Sequence, residues 1–177
     1  MQERKGWRKF ENFKVLRERT DERPRYVFVG DNGKSEKDLE AAERIIAAFP
    51  HDLDAVFVHA VSGEVQPAPL PADDLIGDVP VRYFRTYATA AAKAAALGLI
   101  SAAGARRVLV AIEDGISADQ SNIAPGSANE VLLRDELAQA RAAIGVGAGV
   151  TLARITRPLR RPLRRLRRIG RRGGEEV

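Results

Sequence analysis

The stretch Tyr26-Val27-Phe28-Val29-Gly30-Asp31-Asn32-Gly33-Lys34-Ser35-Glu36 decides the fold. Its first four residues are β-branched or aromatic with no polar alternation, the pattern of a strand buried on both faces of a sheet. Gly30 ends the run. From about Ser35 to Phe49, the residues Leu39, Ala42, Ile45, Ile46 and Phe49 recur at three- and four-residue spacing, which predicts a helix that Pro50 closes. Ala55-Val56-Phe57-Val58-His59-Ala60-Val61 is a second apolar run of strand type. Strand, helix and strand joined by short loops predict a right-handed parallel βαβ unit and place the chain in the α/β class.

Upstream of that unit, residues 8–20 set Phe10, Phe13 and Leu16 three apart on a charged helix that Pro24 stops. Downstream, roughly 17 residues containing Pro67, Pro69, Pro71 and Pro80 read as a long loop, of the kind that is often functional. Val81 to Phe84 then reads as a third short strand, and Thr89 to Ile100 as an alanine-rich helix broken near Gly98. Val108 to Ile112 fits a strand or a helix, and Ser101 as a cap favours the helix for Ala105 to Glu113. Ser117 to Gly126 is polar loop, and Ser127 to Ile144 a helix opened by a Ser127/Glu130 capping box. No internal repeat is present.

The 177 residues divide into one domain, residues 1–150, and an arginine-rich tail, residues 151–177. The net charge of +5 hides a segregation along the chain. Residues 151–177 carry ten Arg against two Glu, and residues 1–25 nine Lys/Arg against five Asp/Glu. The central 26–150 holds ten basic and seventeen acidic residues, a net of −7, so the body is no basic nucleic-acid-binding domain. The absence of cysteine excludes disulfide scaffolds, zinc-thiolate sites and thiol nucleophiles. Two histidines leave little for a histidine-rich metal site or a catalytic triad. No apolar run is long enough to span a bilayer, and the charged Met1 to Lys9 is unlike a secretory signal, so the expected location is cytoplasmic.

Gly30 to Glu36 lies between a strand and a helix, at the carboxyl end of the strand, where ligands bind in open parallel sheets. Asp31 at the strand tip is a candidate Mg²⁺ ligand, since Mg²⁺ takes one or two carboxylates together with waters and phosphate oxygens. Glu36 could fix a metal-bound water or pair with a lysine, while Gly30, Asn32 and Gly33 suit a tight turn or the approach of backbone to a phosphate. The same residues also suit a plain Asp-Asn-Gly turn, and spacing leaves both readings open.

Tyr26 to Glu36, Ala55 to Val61 and Tyr83-Phe84-Arg85-Thr86-Tyr87, followed by Ala90-Ala91 and Gly98-Leu99-Ile100, form ordered blocks over residues 6–113. Together they resemble the catalytic domain of actin-patch-type phosphatidate phosphatases and their relatives, a branch of the haloacid-dehalogenase superfamily. The resemblance implies a partial Rossmann-like three-layer sandwich with a short parallel sheet of two to four strands, Mg²⁺ as cofactor, and a phosphomonoester substrate such as phosphatidate. It places Gly30, Asp31 and Glu36 on the family's fourth motif, Gly-Asp-x-x-x-x-Asp, with Glu in place of the second Asp. It makes Lys9, within Gly6-Trp7-Arg8-Lys9-Phe10, the third-motif lysine that steadies nucleophile and phosphate charge. The first motif, Asp-x-Asp-x-Thr, and the second-motif Ser or Thr do not precede Lys9. Asp52-Leu53-Asp54 has the Asp-x-Asp spacing but comes before the second strand, and it reads as a loop. The expectation is the carboxyl-terminal part of a phosphatase domain, a fragment inactive alone for want of its nucleophile. In the related fold the missing strand lies beside Tyr26 to Val29, so an open edge prone to self-association is expected.

In the tail, Leu159, Leu163, Leu166 and Ile169 recur at four- and three-residue spacing, so a helix beyond Pro162 would set them in a thin apolar stripe flanked by Arg160, Arg161, Arg164, Arg165, Arg167 and Arg168. This suits peripheral binding to an anionic membrane surface. Nucleic acid is the weaker partner, because no aromatic residue interleaves with the arginines to stack on bases, and a solvated tail is the third reading. The second functional hypothesis is accordingly a non-catalytic membrane- or nucleic-acid-associated module. His59 reads as a satisfied strand histidine, and Arg85 as a phosphate contact or a structural ion pair.

Overall fold

The computed structural model describes residues 5–20, 24–31, 37–61, 69–117 and 123–147. Their order is α1 (Lys5–Glu18), β1 (Tyr26–Asp31), α2 (Lys37–Ala48), β2 (Leu53–His59), β3 (Asp74–Ile76), β4 (Val79–Phe84), α3 (Tyr87–Ala96), α4 (Ala102–Ser117) and α5 (Ala128–Gly147). The sheet has the order β1-β2-β4-β3. β1, β2 and β4 are parallel, and β3 is antiparallel to β4. The chain is therefore α/β, as the βαβ pattern predicts, with a small mixed sheet rather than a purely parallel one. The reversal comes from a hairpin inside the proline-rich loop, where Gly77 turns the chain at φ 61°, a conformation that costs glycine nothing.

Strand alternation sends successive side chains to opposite faces, and both faces are covered by helices. On one side Val56, Val58, Val79 and Val81 meet Phe13 of α1 and Ala42, Ile45 and Ile46 of α2. Phe13 meets Tyr26 edge-on at 5.1 Å between ring centroids, which seats α1 beside β1. On the other side Ala55, Phe57 and Phe84 pack against Ala90 and Ala94 of α3. α3 in turn carries α4 and α5 through Ala88, Ala91, Ala105, Leu109, Leu137, Ala140 and Ile144. Small alanines on α3 let both outer helices come close. Among the described residues no helix is long and apolar enough to cross a membrane.

Three local expectations change. β1 is not buried on both faces: Val27 is 42% and Val29 60% exposed, because β1 is an edge strand whose only neighbour is β2 among the described residues. Leu53 and Asp54 belong to β2 rather than to a loop, with Asp52 tied to Arg17 and Asp54 to Arg25, so this Asp-x-Asp serves as two surface tethers. The proline-rich stretch is not all loop, since it holds β3, and at the far side of the fold Glu113 pairs with Arg141 and joins α4 to α5. The helix reading of Ala105 to Glu113 holds, and Ser101 Oγ accepts from Gly104 N–H at 3.0 Å at the start of α4. At α5, Ser127 Oγ accepts from Glu130 N–H at 3.3 Å, and Glu130 reaches the N–H of Gly126 at 2.6 Å. That amide and Arg134 hold the Glu130 carboxyl below the usual glutamate value.

Candidate functional site at the carboxyl-end rim

Because β1, β2 and β4 are parallel, their carboxyl ends open on one rim. At the tip of β1 the buried carboxylate is Asp38, only 5% exposed, in the first turn of α2. It forms an ion pair with Lys9 of α1, and its Oδ2 accepts the backbone N–H of Asp31 at 2.9 Å. Asp38 thereby ties together α1, β1 and α2.

Two glycines make this convergence sterically possible. A Cβ on Gly30 would stand 2.6 Å from the Cβ of Asp38, so any larger residue would displace the carboxylate from the strand tip. A Cβ on Gly6 would meet Lys37 O at 2.8 Å, so glycine there lets α1 start against the first turn of α2 and brings Lys9 within reach of Asp38.

Asp31 is exposed and alternates with Gly30, so its side chain lies on the same face as Val27 and Val29, opposite to that of Asp38. Its register partner on β2 is His59. The imidazole stacks on Phe84 at 4.9 Å between centroids with 12° between the planes, and Nε2 lies 2.9 Å from the carbonyl oxygen of Arg85. A carbonyl only accepts, so Nε2 donates this hydrogen bond. Arg85 pairs with Glu136 at 3.2 Å, which makes it a structural ion pair between the β4–α3 junction and α5.

Glu136, 7% exposed, also accepts from Thr86 Oγ1 and Thr89 Oγ1, each at 2.7 Å. Thr86 is itself the N-cap of α3. The rim thus has two anchors, one built on Asp38 and one on Glu136, with Asp31 and His59 between them. Neither anchor carboxylate was singled out by sequence reasoning. The available signal for Asp38 was an acid in the first turn of a helix facing a strand-end glycine.

Of the residues expected to form the site, Lys9 and Gly30 meet around Asp38 at the tip of β1, and Asp31 joins them through its backbone N–H while its side chain lies on the opposite face. Asn32, Gly33 and Glu36 lie outside the described residues, as do all six tail arginines. Among the described residues there is no group of three His, Asp or Glu side chains arranged to hold a metal ion. No family model, no curated protein and no solved structure matches this chain.

Proposed function

We propose that this chain supplies the lysine and metal-carboxylate part of a Mg²⁺-dependent phosphatase site of the phosphatidate phosphatase type, on a haloacid-dehalogenase-like domain, and is inactive without a nucleophile part. The observation that supports this reading is that Lys9 and Asp38 pair at the carboxyl tip of the strand that ends in Asp31, whose backbone N–H donates to Asp38. Lys9 keeps 46% of its side chain exposed while paired, so its charge is available to a phosphate at the rim. Asp38 is the carboxylate beside Lys9, and in this reading it takes the place given to Glu36 on spacing.

In this reading Mg²⁺ would have a single protein carboxylate among the described residues. Asp31 would hold the ion through its exposed carboxylate, with the substrate phosphate and waters as the other ligands. When bound, the ion would neutralise charge on the phosphoryl oxygens. Asp38 is engaged with Lys9 and the Asp31 amide, and it acts by fixing the strand tip. No carboxylate pair stands beside Lys9 at the end of a strand among the described residues, so the reading requires an aspartate nucleophile from elsewhere.

The test is to join a strand ending in Asp-x-Asp-x-Thr ahead of Lys5 and to assay phosphatidate and a soluble phosphomonoester with Mg²⁺. The chain alone is expected to be inactive and the extended chain active. Asp31→Ala in the extended chain should abolish Mg²⁺-dependent turnover, a loss of several kcal/mol of charge stabilisation, whereas activity within about threefold of the parent would sink the assignment.

The tail supports a second, separable role at anionic membrane surfaces, because it carries ten Arg and two Glu with an apolar stripe. Each basic residue near such a surface contributes roughly 1 kcal/mol, so half of the arginines give salt-sensitive binding. Flotation with phosphatidate- or phosphatidylserine-containing vesicles should be lost on deleting residues 151–177. Equal binding by the shortened chain would refute the role, and a stronger salt-dependent shift with RNA would favour nucleic acid.

A further inference from the structure

The two edges of the sheet are treated differently. β3, at one edge, is three residues long and begins at Asp74, next to Asp73, which pairs with Arg82 and Lys93. Short length and charge are the usual means of blunting an edge. β1, at the other edge, has six residues, no proline and two exposed valines. The N–H of Asp31 turns away from β2 to Asp38, and alternation turns the backbone groups of Val27 and Val29 to that same outer side. A groove of about 350 Å³ lies between the sheet and α3 and reaches β1, lined by Val27, Val29, Phe57, Phe84 and Tyr87. A second, of about 300 Å³, lies on the α1 side, lined by Lys9, Phe13, Leu16 and Phe28. An added strand alternates its side chains between two such grooves.

We infer that β1 pairs with β1 of a second copy of this chain, antiparallel and two-fold symmetric about Phe28, so that two four-stranded sheets join into one. The register follows from the residues. Only an even sum of paired positions sets outward-facing backbone groups against each other; centring on Phe28 meets that condition and leaves the backbone bonds to Val27 and Val29, since the N–H of Asp31 stays with Asp38. Val27 then stands opposite the partner's Val29, and Val29 opposite the partner's Val27, so both exposed valines are covered on the α3 face. Phe28 meets its own symmetry mate between the α1-side grooves.

The same register sets Arg25 opposite the partner's Asp31 at both ends. Arg25 keeps 52% of its side chain exposed beside Asp54, and Asp31 is exposed at the strand tip. Opposite charges directly across an antiparallel pair stabilise it, and like charges disfavour it. Pairing centred elsewhere loses this double match. The interface is isologous, so it closes at two copies rather than growing into a fibre. The inference does not rest on the phosphatase reading, since it needs only the edge, its grooves and the placement of Arg25 and Asp31.

Sedimentation of the full chain over a range of concentrations should show a species of twice 19.3 kDa that dissociates on dilution. Arg25→Asp and Asp31→Arg should each weaken dimerisation at least tenfold, because each places like charges opposite each other twice. Mixing the two variants should restore the dimer, since both end pairs are then oppositely charged. In this cysteine-free chain, Phe28→Cys should form an intermolecular disulfide on mild oxidation, because the Cα atoms of facing residues at a non-hydrogen-bonded position stand about 4.5 Å apart, within disulfide reach. Val131→Cys, on an exposed face of α5, is the control that should not. A monomer at all concentrations, a dimer indifferent to both charge reversals, or equal crosslinking at residues 28 and 131 would overturn the inference.

Discussion

Replacing Phe84 by alanine is expected to lower stability by about 3–5 kcal/mol, the range for truncating a buried aromatic in a close-packed core. Phe84 ends β4, is 1% exposed and is the largest of the fully buried side chains. Its ring meets Phe57 at 6.2 Å, His59 at 4.9 Å and Tyr87 at 5.8 Å. Removing it leaves a cavity between the sheet and α3, and α3 is the helix on which α4 and α5 rest. For a chain of this size each kcal/mol moves the melting temperature by about 2–4 °C, so the midpoint should fall by on the order of 10 °C. Phe84→Leu, closer in volume, should cost less than about 1.5–2 kcal/mol. Val131→Ala, at a side chain 54% exposed, should stay within about 0.5 kcal/mol of the parent. Thermal and urea denaturation followed by circular dichroism measure all three. A shift of under about 2 °C for Phe84→Ala would mean that the α3 layer is not seated on β4 as described.

The elements that sequence periodicity placed correctly are those whose burial is set by their own residues. In α2, Ala42, Ile45 and Ile46 follow helical spacing and all three are buried. β2 is an apolar run flanked on both sides by β1 and β4, so its composition and its burial agree. β1 has the same kind of composition and a different environment. Whether an apolar strand is central or at an edge depends on which other strand arrives beside it, and no local pattern encodes that. The hairpin of β3 and β4 was hidden for another reason. Its signal, Gly77-Asp78 between Leu75-Ile76 and Val79, is a turn pair between short apolar runs, but the neighbouring prolines argued for loop.

The site was legible in part. Lys9, Gly30 and Asp31 can be read from a strand end and a preceding helix, and the structure brings them together around Asp38. The resemblance to a Gly-Asp-x-x-x-x-Asp motif points to Glu36 as the second acid. Asp38, two residues further, is the acid that reaches Lys9, and a count along a connecting loop does not say which residue of the first helical turn faces back. Glu136 was invisible for a simpler reason. Its partners Arg85, Thr86 and Thr89 are about fifty residues away in sequence, and only the packing of α5 on α3 brings them together.

That second anchor sets the other large effect. Glu136→Ala is expected to cost about 3–5 kcal/mol, because it breaks a buried ion pair by removing one of its partners. Here the carboxylate is 7% exposed and the Arg85 side chain 18%, so the guanidinium loses its counter-charge in a poorly solvated place. Two hydroxyls lose their acceptor as well: Thr89 Oγ1 and Thr86 Oγ1, the latter on the side chain that caps α3. Glu136→Gln keeps an acceptor oxygen but no charge, and it should fall between the parent and the alanine variant. Arg85→Ala in the Glu136→Ala background should cost less than Arg85→Ala alone, with a coupling of about 0.5–3 kcal/mol if the two side chains act as a pair. Amide exchange gives the local readout: the first turn of α3 and the middle of α5 should lose protection together, while α2 and β2 keep theirs. A loss below about 1 kcal/mol for Glu136→Ala, or exchange that changes equally everywhere, would show that α5 is held by its apolar face of Leu137, Ala140 and Ile144 alone and that the carboxylate is incidental to the fold.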